Sequence, residues 1–236
     1  MSHRGVGRRG FLTAAGAAAA TAVSIAPADA QAAQVSAPNA VDKPEGYTYL
    51  KPAEAAFLEA AADHMIPADE LSPSGTQLGI AVYIDRALAG SWGKGARLYM
   101  QGPWLPGTVN QGYQLPLTPA ELYRAAIPAC DAHCKKAFGK AFADCNTGEK
   151  ETFLKDLSAG KIALEGGVPG RTFFSMFYNN VMEGMFSDPI YGGNKNKAGW
   201  KMIGFPGVMA NNAENVKTYT DGRRYTADPV SIADMS

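Results

Sequence analysis

Between Phe173 and Gly207 the chain changes character in a way that few folds accommodate. Phe173, Phe174, Phe177, Val181, Met182 and Met185 recur at helical spacing and form one apolar face, with Asn179, Asn180 and Glu183 largely on the other side. Ser187, Asp188 and Pro189 stop that helix. Gly192, Gly193, Asn194, Gly199, Gly204 and Gly207 then punctuate a run that still carries Tyr191, Trp200 and Phe205. Such a run reads as a loop that is costly to leave loose, because its aromatic rings need a surface to pack on. Two readings follow. In the first, a long surface loop lays its three aromatics on the chain's own core. In the second, Asp188, Tyr191, Asn194, Trp200 and Phe205 present a recognition surface, because glycines allow close backbone approach and Tyr and Trp concentrate binding energy.

The rest of the chain reads as helices separated by irregular segments. Pro52 to about Ile66 places Phe57, Leu58, Ala61, Ala62 and Met65 on one face, with Pro52 in the first turn and Glu54 favourable to the helix dipole. Thr76 to Leu88 carries Leu78, Ile80, Val82, Tyr83, Ile84 and Leu88, with Asp85 and Arg86 at the spacing of an exposed edge. A helix is expected, although its β-branched content leaves a strand open. Gly90 to Gln114 is Gly-rich with Trp92, Tyr99, Trp104 and Tyr113, either a loop pinned by its aromatics or a further stretch of partner contact.

Thr118-Pro119-Ala120-Glu121 is a capping-box start. The stripe Leu122, Ala126, Ala129, His133, Ala137, Phe138 and Ala141 then predicts a helix of about 25 residues. Glu149 to Ser158 predicts a short helix with Phe153, Leu154 and Leu157 inward, closed by Gly160. Val208 to Ser236 has few apolar residues and no period, which predicts an extended tail. The expected fold class is mainly α: an irregular helical bundle with long Gly- and aromatic-rich loops and an extended C-terminal tail.

Few residues carry chemistry. Cys130, His133 and Cys134 share one helix face at i, i+3 and i+4, where two thiolates and an imidazole suit a metal, but no fourth ligand is local. If the helix continues, Cys145 lies about 16 Å further along and reaches neither cysteine. A Cys130–Cys134 bridge within one helical turn is strained by nearly parallel side chains. With three cysteines in the chain, the expectation is a buried inert thiol or a bridge from one of them to another chain. His64, next to Asp63, reads as a surface or half-buried side chain. The pairs Glu121 with Asp131 and Glu149 with Glu151 fit solvated helix faces. Neither a dinucleotide nor a nucleoside triphosphate motif occurs. Outside residues 1–30 the chain carries 19 basic and 21 acidic groups, without the basic stripe of a nucleic-acid binder.

The N-terminus reads as an export signal. Arg4, Arg8 and Arg9 precede an uncharged Ala-rich run from Phe11 to Ile25, and Ala28-Asp29-Ala30 is a small-x-small cleavage site. The run is too short and weakly apolar to span a bilayer comfortably. Arg8-Arg9-Gly10-Phe11-Leu12 resembles the twin-arginine signal, a route for proteins that fold before crossing the membrane. The division expected is therefore a signal at 1–30, a flexible lead-in at 31–51, a helical domain at 52–207 and a tail at 208–236.

Asp188-Pro189-x-Tyr191-Gly192-Gly193-Asn194, followed by Gly199-Trp200-x-x-Ile203-Gly204-Phe205-Pro206-Gly207, resembles the signature of the small subunit (subunit 3, or gamma) of membrane-bound gluconate 2-dehydrogenase. Met65-Ile66-Pro67-Ala68-Asp69 is similar to that family's first helix-turn segment. The resemblance implies a non-catalytic chain without cofactor of its own. Its expected partners are an FAD-dependent large catalytic subunit and a multi-haem cytochrome c subunit, which supply FAD and haem c. The small subunit would serve folding and twin-arginine export of the flavoprotein, at the periplasmic face of the membrane, with membrane association only through the complex. A free-standing periplasmic enzyme or small-molecule-binding protein, using the aromatic loops as a pocket, is the alternative.

Overall fold

The long helices form where an apolar period meets a start signal. The computed structural model describes residues 46–105, 107–209 and 211–235. Among them are seven α-helices and no β-strand: α1 (Pro52–Met65), α2 (Ile80–Ala89), α3 (Pro119–Phe138), α4 (Thr147–Ser158), α5 (Gly170–Phe186), α6 (Ala198–Ile203) and α7 (Ala213–Tyr219). The chain is mainly α, as its periodicity predicts. The twin-arginine segment with Arg8, Arg9, Phe11 and Leu12, the cleavage site and most of the lead-in lie outside the described residues.

The capping box of α3 closes as drawn from the sequence. The Thr118 amide donates to Glu121 Oε2 at 2.8 Å, and the Glu121 amide donates to Thr118 Oγ1 at 3.3 Å. Asn146 and Glu149 make the same reciprocal pair at the start of α4. Aromatic rings join the helices into one core. Phe57 of α1 meets Phe142 at 4.7 Å between centroids, Phe142 meets Phe153 of α4 at 5.4 Å, and Tyr123 of α3 meets Phe173 of α5 edge-on at 5.2 Å. All five are buried, and each phenyl contributes about 2–3 kcal/mol by leaving water.

Four expectations are corrected. Asp85 is not on an exposed edge: it is 3% exposed, and its carboxylate accepts the amides of Thr48, Tyr49 and Leu50, each at 2.8 Å. Three donors satisfy the buried charge, and they tie residues 48–50 of the supposed flexible lead-in onto α2. Arg124 reinforces the same place. It pairs with buried Glu54, donates to the Tyr49 carbonyl at 2.7 Å and stacks over the Tyr49 ring at 4.2 Å. Secondly, Asn180 is buried, accepting from the Tyr123 hydroxyl at 2.7 Å and donating to Glu183 at 2.9 Å. An amide is tolerated in the core there because its partners are supplied by a neighbouring helix and its own next turn.

Thirdly, α3 stops at Phe138, where Gly139 takes φ 75°, so the stripe does not run on to Ala141. The chain reverses and buries Phe142, while the Phe142 amide donates back to Asp131 at 3.0 Å. Lastly, the tail is not simply extended. It forms α7, and Val230 pairs with the 206–208 segment: the Val208 amide donates to the Val230 carbonyl at 2.8 Å, and the Val230 amide to the Pro206 carbonyl at 3.0 Å. Among the described residues no helix is long and apolar enough to cross a membrane.

Candidate partner-docking face

The segment after α5 is held by its own side chains. Asp188 accepts the Ile190 amide at 3.0 Å on one oxygen and the Ile232 amide of the returning tail at 2.8 Å on the other. Asn194 is fully buried and adopts the left-handed region at φ 47°. Its Nδ2 donates to the Ser187 carbonyl at 2.8 Å, and its Oδ1 accepts the Gly199 amide at 2.8 Å. One short amide thus spans both ends of the loop, and Asn is the non-glycine residue that tolerates this backbone best.

Glycine is required at two positions by backbone approach. A Cβ on Gly193 would overlap the Gly184 carbonyl, and one on Gly199 would overlap the Met185 carbonyl, both on the last turns of α5. The loop backbone therefore lies directly on the helix end. Trp200, 5% exposed, donates from Nε1 to the Phe186 carbonyl at 2.7 Å, so its ring is spent inside the chain. Beyond α6, the Phe205 amide donates to the Trp200 carbonyl at 2.9 Å, and the two rings meet edge-on at 5.2 Å.

The five residues read as a recognition surface divide accordingly. Asp188, Asn194 and Trp200 are buried and bonded within the chain, which corrects any direct contact by them: they build the scaffold. Tyr191 and Phe205 remain 56% and 43% exposed. Also exposed are Ile190 and Ile203 from the loop, and Val230, Ile232 and Met235 from the tail bonded to it, none of which the sequence marked as outward-facing. Of the thirteen exposed large apolar side chains among the described residues, these seven come from the loop and the tail bonded to it. An alternation of apolar and polar residues at Val230-Ser231-Ile232 was the available hint, and it was too short to stand alone.

Charge pins the edge of this face. Lys197 Nζ meets Asp234 Oδ2 at 2.7 Å, and that hydrogen bond, with the Ser231 amide, lowers the Asp234 carboxyl to about 2. The partner of Lys197 is thus the tail, not solvent.

The residues with chemical potential lie elsewhere. His64 is half-buried and faces Glu151 at 2.7 Å, beside a shallow groove lined with Phe174 and Tyr178. Glu121 and Glu149 serve as helix caps, and Asp131 as the acceptor for Phe142. Cys130, Cys134 and Cys145 are buried. His133 rests against the Phe153 ring at 5.7 Å. Among the described residues no three of His, Cys, Asp and Glu converge as a metal-binding group.

Comparison with known proteins bears on the same segment. The model of the family described as gluconate 2-dehydrogenase subunit 3 matches residues 52–207, from the first residue of α1 to the glycine that pairs with the tail. No curated protein and no solved structure matches.

Proposed function

Since the chain belongs to the gluconate 2-dehydrogenase subunit 3 family, we propose that it is the non-catalytic small subunit of a periplasmic, membrane-associated flavoprotein dehydrogenase. In this reading it binds the FAD-dependent large subunit, stabilises it as it folds, and carries it across the membrane on the twin-arginine signal at Arg8, Arg9, Phe11 and Leu12. A multi-haem cytochrome c subunit would complete the complex and take the electrons. The observation that carries the reading is the exposed apolar face around Tyr191, Ile203 and Phe205, set on a backbone held by Asp188, Asn194 and Trp200. A rigid apolar surface is matched to a protein partner, because little ordering entropy is lost when it docks.

The test is co-expression with an FAD-dependent dehydrogenase large subunit from the same source. Tyr191→Ser weakens the complex by about 2 kcal/mol, near 30-fold in Kd, as expected for an aromatic at an interface centre. Arg8→Lys with Arg9→Lys leaves both chains in the cytoplasm. A large subunit that still reached the periplasm would remove the carrier role. Recovery of the chain as a monomer with its own turnover or a bound small molecule would favour the free-standing enzyme or binding protein instead.

A further inference from the structure

The end of α3 brings together two cysteines that helical continuation would separate. Gly139 at φ 75° terminates the helix, the chain turns through Phe142–Asp144, and the Phe142 amide returns to Asp131 on the helix it has just left. Cys145 therefore comes back against α3. Its thiol lies within hydrogen-bonding reach of the Cys134 thiol, and it also donates to the Ala141 carbonyl at 3.4 Å. Both cysteines are buried, Cys134 completely and Cys145 to 5% exposure. The reversal itself is firmly anchored, since the Phe142 ring sits between Phe57 and Phe153 in the core.

We infer that Cys134 and Cys145 are the site of an internal disulfide, formed when the folded chain meets a disulfide oxidant. Two cysteines on adjoining, oppositely running segments can present their side chains toward one another, whereas Cys130 and Cys134 project in nearly the same direction from one helix. Cys130 is thereby left as the unpaired, buried thiol. Oxidation proceeds by thiol–disulfide exchange. The more exposed Cys145, as thiolate, attacks oxidised glutathione and expels one glutathione thiolate. The Cys134 thiolate then attacks the mixed disulfide at Cys145 and expels the second. Two protein thiols lose two electrons and two protons, and one glutathione disulfide becomes two thiols. Burial raises both cysteine pKa values, Cys134 to about 12, so thiolate is scarce and the exchange is slow at neutral pH.

This inference stands apart from export and from the large subunit, and it is tested on the purified full chain. The protein is equilibrated with excess oxidised glutathione, alkylated and digested with trypsin. One alkylated thiol is expected instead of three, with peptide Ala125–Lys135 linked to Ala141–Lys150. The link persists in Cys130→Ser and disappears in Cys134→Ser. The oxidised chain melts higher than the reduced one, by on the order of 5 °C for so short a closed loop. Three alkylatable thiols after oxidation, a bridge confined to Cys130 and Cys134, or a link that survives Cys134→Ser overturns the assignment. Because the linked peptide is read in the wild-type chain, a variant that fails to fold does not shield the inference.

Discussion

The helices α1 to α5 and the loop from Asp188 to Gly207 are both ordered, but by different means. In the helices, position is set by side-chain volume: Phe57, Tyr123, Phe153, Phe173 and Phe177 interlock, and the backbone bonds to itself. In the loop, position is set by the backbone lying on α5 and by single side chains that bond to it, above all Asn194 and Asp188. A packed core relaxes around a changed side chain, whereas a backbone lying against another backbone has nowhere to go. The loop should therefore be the less forgiving region, although its outer side chains are the more exposed.

The largest expected effect breaks the loop by one methyl group. Gly193→Ala places a Cβ against the Gly184 carbonyl and should cost about 3 kcal/mol in urea unfolding, against about 1 kcal/mol for Phe177→Leu in the core. A smaller cost for the glycine variant would mean that the loop lifts off the helix and that the contrast fails. Asn194→Ala comes next, at about 2–3 kcal/mol, because it removes both bonds and disfavours φ 47°. Asn194→Gly sharpens the point: it restores the backbone conformation without the bonds, and its deficit isolates them.

Within the helices, Tyr123→Phe keeps the ring and deletes the donor to Asn180, leaving a buried acceptor unpaired. A loss of about 1–2 kcal/mol is expected in the same measurement. Smaller again is Tyr191→Ser, which should stay within about 0.5 kcal/mol of the native stability despite its effect on partner affinity. That dissociation separates the loop's outer face from its scaffold, for which Trp200→Ala should instead destabilise the isolated chain.

The smallest effect is a pH dependence. Asp234 titrates below its ordinary value of 3.8, at about 2, so its bond to Lys197 contributes fully above the ordinary carboxylate range and is lost as pH falls through about 2. Amide exchange at Val208 and Val230, compared between the native chain and Asp234→Asn, should differ above about pH 4 and converge near pH 2. A constant difference across that range would detach the tail from this ion pair.

Periodicity and capping were enough to place α1, α3, α4 and α5, because an amphipathic helix writes its buried face into the spacing of its apolar residues, and Thr118 marks where α3 begins; the Asn146 cap of α4 came only with the structure. The glycines, Asn194 and the aromatics likewise announced a loop of unusual demands. What stayed out of reach depended on residues far apart in the chain. Asp85 looked exposed because its three donors sit at residues 48–50, and Asn180 looked solvated because its partner is on α3. Trp200 looked available for a partner until the Phe186 carbonyl claimed its indole nitrogen. Cys145 looked remote from Cys134 because helical spacing was carried past Gly139. The sequence determined the long helices and the break after α5, since those follow from local conformational preference. Only tertiary structure decided which polar groups are satisfied internally, which apolar groups remain outside and which thiols meet, because each of those depends on groups brought together across the fold.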